Sequence, residues 1–183
     1  MALKNFRITL FCLCVFLVLF LLSACDNDRT DEPDCQGPES EWLNKIAALL
    51  EHNKEKVTIE EGLAGTVVFT EGNCMPGTAE SSCLRYPVVR TVHIHEYTHR
   101  TEAEHQGGGF HKSIQSQRIA KVQTDAEGFF EAALPPGNYS VFIEEEGMFY
   151  ANLWNSEGYI QAATVVESDT SYVAIHITHS AYY

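Results

Sequence analysis

The segment Lys121–Glu144, KVQTDAEGFFEAALPPGNYSVFIE, constrains the fold more than any other part of the chain. Turn residues cluster twice, at Thr124-Asp125-Ala126-Glu127-Gly128 and at Pro135-Pro136-Gly137-Asn138. Between and after them Phe130, Ala132 and Leu134, then Tyr139, Val141 and Ile143, alternate with more polar neighbours. Alternation with period two places each set on one face of a strand, and the turn residues supply the reversals. Three short antiparallel strands are therefore predicted, and a helix through this region is excluded.

The same texture continues on both sides. Gly65–Thr70, Val88–His99, Ile114–Thr124, Phe149–Trp154, Gln161–Glu167 and Ser171–His179 read as strands, separated by Gly, Ser, Asp and Asn clusters. Strands recurring every few residues with almost no helix between them predict an all-β sandwich. The helical exception is Ser40–Lys56, where Trp42, Ile46, Leu49 and Leu50 fall at helical spacing and Ser40 is placed to cap. Asn73–Arg85 and Arg100–Ser113 read as loops, the second because Gly107-Gly108-Gly109 lies at its centre.

The N-terminus belongs to another category. Lys4 and Arg7 precede an apolar run from Ile8 to Leu22, shorter than the roughly 20 residues of a spanning helix. It ends in Leu22-Ser23-Ala24-Cys25, which resembles the bacterial lipobox. That resemblance implies a signal peptide over 1–24, cleavage after Ala24 and acyl chains on Cys25, hence a membrane lipoprotein of the bacterial cell envelope. The outer membrane is the favoured destination, with the side it faces left open. Residues 25–39 are polar and acidic and read as a flexible tether. Residues 40–61 form the helix and lead-in, and 62–183 the sandwich.

Charge and cysteine usage fit this address. The chain carries 12 Lys and Arg against 25 Asp and Glu, a formal charge of -13. Loss of Lys4 and Arg7 makes it more acidic still, which argues against nucleic acid as a partner. Cys12 and Cys14 would leave with the signal peptide. Cys74 and Cys83 flank one short loop and are expected to form a local disulfide, leaving Cys35 over in the tether.

Three groups of residues in the sandwich together suggest a family. Gly65-Thr66-Val67, then Val122, Thr124-Asp125, Gly128 and Phe130, then Leu134-Pro135-Pro136-Gly137, Tyr139 and Val141 resemble the carboxypeptidase regulatory-like domains. The resemblance implies a seven-stranded prealbumin-like (Ig-like) Greek-key sandwich, a scaffold with no catalytic residues of its own. It covers roughly Gly62 to His179, with its strong matches in the opening segment. The Cys74–Cys83 insert and the His- and Gly-rich segment depart from the family pattern.

One strand carries a chemical possibility. In Val92-His93-Ile94-His95-Glu96-Tyr97-Thr98-His99, residues two apart share a face. Val92 and Ile94 are expected inward, and His93, His95, Tyr97 and His99 outward on an exposed sheet face. His93, His95 and His99, completed by His105 or His111, are a candidate Zn or Cu site. The alternative is a solvated polar face and no cofactor. Glu144-Glu145-Glu146 reads as a solvated hairpin tip, while the role of Trp154 stays open. No Gly-x-Ser-x-Gly, His-Glu-x-x-His or phosphate loop occurs. The sequence therefore predicts a non-catalytic, lipid-anchored binding or accessory module, not an enzyme, with an envelope protein or glycan as partner. The alternative is a His-based metal-binding protein or metalloenzyme.

Overall fold

The structure, a computed structural model, describes residues 41–79 and 82–183. The lipobox with Cys25, the acidic segment that follows, Cys35 and the capping Ser40 lie outside the described residues.

Two sheets pack face to face. The first is built on β1 (Gly62–Asn73), which pairs along its length with β11 (Thr170–Tyr182) in parallel. Its other edge is shared end to end by β7 (Phe129–Ala133) and β2 (Cys83–Pro87), both antiparallel. The second sheet runs β4 (Ala103–Gly107), β5 (Phe110–Ile114), β9 (Met148–Tyr150), β8 (Gly137–Glu145), β3 (Thr91–Glu96), β6 (Arg118–Gln123), with β10 (Ala162–Val165) also on β8. The all-β sandwich is as the sequence predicts, but eleven strands replace the expected seven among the described residues.

The core lies where the alternation puts it. Leu63, Val67, Phe69, Phe130, Ala132, Ile175 and Ile177 of the first sheet meet Val92, Ile94, Tyr139, Val141, Ile143, Ala163 and Val165 of the second in one buried cluster. Burial of apolar area of this kind is the dominant stabilising contribution, about 1.5–3 kcal/mol for each fully buried large aliphatic or aromatic side chain.

The turns of the opening segment have clear causes. The Asp125 carboxylate accepts hydrogen bonds from the backbone N–H of Glu127 (2.9 Å) and Phe129 (2.9 Å). Gly128 follows at φ 71°, where a Cβ would stand 2.4 Å from the Val67 carbonyl oxygen, so only glycine fits. At the second turn, the Tyr139 hydroxyl donates to the Pro135 carbonyl (2.8 Å) while its ring enters the core.

Four boundaries differ from the sequence reading. The helix α1 spans Ile46–Lys54 and does not begin at Ser40. Asn44 takes a left-handed φ of 57°, and its backbone and side chain both bond to Arg85 of β2 at 2.8 Å, tying the lead-in to the sheet edge. Trp42 accordingly leaves the helical stripe and stacks on His52, with ring centroids 5.1 Å apart. The Arg100–Ser113 segment is a short 3-10 turn (Arg100–Glu102) followed by a β-hairpin, not a loop. The strand expected over Val88–His99 is confined to Thr91–Glu96. Finally, Glu145 is no solvated tip residue. It is buried and accepts a 2.6 Å hydrogen bond from Arg90 Nε, whereas Glu146 does occupy the turn between β8 and β9.

Candidate functional site: a histidine-lined outer layer

The period-two rule holds along β3, but its outer face is not solvent. Val92 and Ile94 point into the core at 0% exposure, and His93 and His95 on the opposite face are only 4% exposed. What covers them is a second, smaller core of Phe142, Ala151 and Ile160, with Ala103, Ile114 and Phe149 packed against it. These residues come from β8, β9, the β4–β5 hairpin and the segment following β9. The expectation of an exposed histidine face is thereby overturned.

Each buried histidine is held through a single ring nitrogen and by one or more aromatic edges. His93 Nε2 donates to Glu144 (3.1 Å), and its ring meets Phe149 edge-on at 5.1 Å. His95 Nδ1 donates to the Ser116 carbonyl (3.0 Å), and its ring meets Phe142 at 5.4 Å. His111 Nε2 donates to the Ala151 carbonyl (3.2 Å), with Phe142 at 5.9 Å. A ring nitrogen facing an acceptor must carry the proton, so in each neutral ring the other nitrogen holds a lone pair. Those nitrogens, His93 Nδ1, His95 Nε2 and His111 Nδ1, are buried without a hydrogen-bond partner.

The electrostatics favour neutral rings. Burial lowers the pKa of His93; the bond to Glu144 opposes this and the Lys121 charge adds to it. Burial likewise lowers that of His95 against the Ser116 bond, with His93 reinforcing the shift. For His111 burial again dominates over the Ala151 bond, and His105 pushes the same way.

His99 has a different environment. The strand ends before it, Tyr97 turns aside to stack on Tyr159 at 3.8 Å, and His99 Nδ1 bonds Thr101 Oγ1 at 2.8 Å. Among the described residues no three His, Cys, Asp or Glu side chains gather so as to hold a metal ion. The structure joins Cys74 and Cys83 in a disulfide with Cα atoms 4.8 Å apart.

Beside the aromatic layer opens a pocket of about 250 Å³, lined by Arg100, His105, His111, Trp154 and Ile160. Ile160 and His111 are buried, while Trp154 is 56% exposed. Arg100 forms no ion pair among the described residues. Arg85 and Arg118 are likewise without an ion pair among the described residues, but Arg100 is the one that lines the pocket and gives it a fixed positive group. Sequence reasoning missed Arg100 and left Trp154 open. The available signal was the spacing of His105 and His111 about the triple glycine, which is that of a hairpin pair.

No protein-family model matches the chain, nor does any curated protein or solved structure.

Proposed function

We propose that the chain is a lipid-anchored, non-catalytic binding module of the bacterial cell envelope. Its β-sandwich is the scaffold, and its ligand seat is the pocket beside the β4–β5 hairpin. The observation that carries the reading is the pairing of half-exposed Trp154 with unpaired Arg100 on the walls of one pocket. A flat aromatic face stacks on the apolar face of a sugar ring, and a guanidinium takes a carboxylate in bidentate fashion. The chemistry best matched is a glycan bearing an acidic sugar. The lipobox supports the anchor, and the resemblance of the turn residues to carboxypeptidase regulatory-like domains supports a scaffold role.

The test is calorimetric titration of the detergent-solubilised full-length protein with uronic-acid-containing and neutral oligosaccharides. Saturable binding of the acidic series is expected, lost in Arg100→Gln and in Trp154→Ala. Equal binding of the neutral series, or none of either, overturns the glycan reading, and retention of an envelope protein on the immobilised chain then identifies the other class of partner. The anchor has its own test. Cys25→Ala is expected to abolish acyl labelling and membrane association, and a variant that stays membrane-bound would refute lipidation.

A further inference from the structure

We infer that His105 and His111 form a two-histidine site for a divalent transition-metal ion of the Zn or Cu class, with its open coordination positions facing the pocket. The two residues are direct partners across the antiparallel β4–β5 hairpin, so both side chains leave the same face. Their ring centroids are 5.1 Å apart. With metal–nitrogen bonds of 2.0–2.1 Å, two imidazoles on one tetrahedral ion have centroids roughly 5.2 Å apart, and about 6.4 Å apart when opposite each other. The hairpin pair therefore has the tetrahedral spacing as it stands. His93 and His95, at 6.5 Å, do not.

The state of His111 points the same way. Metal-binding imidazoles characteristically donate their second ring nitrogen to a carbonyl, which fixes the tautomer and aims the ligating lone pair. His111 does this with Ala151 on the β9 side of its strand. Its other nitrogen, Nδ1, is thereby left with the free lone pair, and the His105 ring lies 5.1 Å away, centroid to centroid, on the neighbouring strand β4. That nitrogen is buried and has no partner, in a residue only 2% exposed. An unpaired buried polar atom is destabilising, and an ion bound there would relieve that cost. His105 is exposed and free to swing onto the ion.

Two protein nitrogens leave further positions for water or an anion. Arg100 on the pocket wall disfavours a bare cation, and an anionic ligand shared between ion and guanidinium offsets that repulsion. The proposal goes beyond the glycan reading and is tested without glycan. The untagged full-length chain, stripped with chelator, is titrated with Cu²⁺ and followed by calorimetry and electron paramagnetic resonance. One ion per chain is expected, with coupling to two imidazole nitrogens. His105→Gln should keep the parent's metal-free melting temperature, lose one coupled nitrogen and bind at least roughly tenfold more weakly. His99→Gln should bind like the parent. Absence of saturable binding overturns the site, as does unchanged affinity in His105→Gln. So does loss of binding in His99→Gln, which would place the ion at His99 instead.

Discussion

The two faces of β3 are almost equally buried yet made of different material. Val92 and Ile94 are sealed among aliphatic and aromatic side chains, with no polar atom to satisfy. His93 and His95, one residue away, lie among phenylalanine edges with one nitrogen each left unpaired. The inner face is favourable on packing alone. The outer face carries a polar debt that only neutral rings keep small. The fold thus resides on one side of the sheet, and the chemistry and the pH sensitivity on the other.

The sharpest way to break this contrast is to damage the inner face. Ile94→Ala removes a fully buried side chain from the middle of the sandwich. A loss of about 2–5 kcal/mol is expected, read as a lower urea midpoint with an unchanged slope. Hydrogen exchange should then accelerate in both sheets together. If only β3 and β6 become labile, the inner face is not one cooperative core.

The outer face should respond to acid instead. The pKa values of His93, His95 and His111 are lowered, chiefly by burial, below the ordinary value of 6.5. The unfolded chain takes up protons on these rings as the pH falls through that value, and the folded chain resists. Stability is therefore complete above about pH 6.5 and declines below it. Glu144, whose carboxyl is held below the usual range chiefly by the His93 bond, adds a loss of the same sign only below its ordinary 4.5. Urea midpoints at pH 7.5 and 5.5 should differ by less than the Ile94→Ala effect, and exchange should rise first in β4, β5 and β9. A midpoint that climbs on acidification would show that these rings are protonated in the folded state.

The inner face was the legible one. Phe130, Ala132, Leu134, Tyr139, Val141 and Ile143 are all buried, because period-two alternation between turns is a local signal. Burial of His93 and His95 was not legible, since the rings packed on them, Phe142 and Phe149, come from β8 and β9, which no local pattern brings to β3. Gly107-Gly108-Gly109 reads as a loop in sequence, yet positive φ at all three lets the chain reverse tightly enough to oppose His105 to His111. The helix start was misplaced because Asn44 can adopt a left-handed conformation and bond β2, an option that spacing does not reveal. The β1–β11 pairing joins residues more than a hundred positions apart and lies beyond any local rule.

The smallest expected effect comes from Trp154, and it sharpens the contrast furthest. Its ring is 56% exposed, and its link to the fold is a backbone bridge to Ile160 that a substitution leaves in place. Trp154→Ala should therefore shift stability by no more than about 0.5 kcal/mol, the range of ordinary surface changes. A residue kept for packing would cost several times that when truncated. On the proposed reading, a large aromatic ring that contributes little to the fold but walls a pocket beside Arg100 serves contact with a ligand. Equality of the parent and variant melting curves, measured together with loss of acidic-glycan binding in the variant, would separate the binding layer from the scaffold at a single residue. A melting temperature that falls as far as that of Ile94→Ala would instead make Trp154 part of the core, and the pocket a by-product of packing.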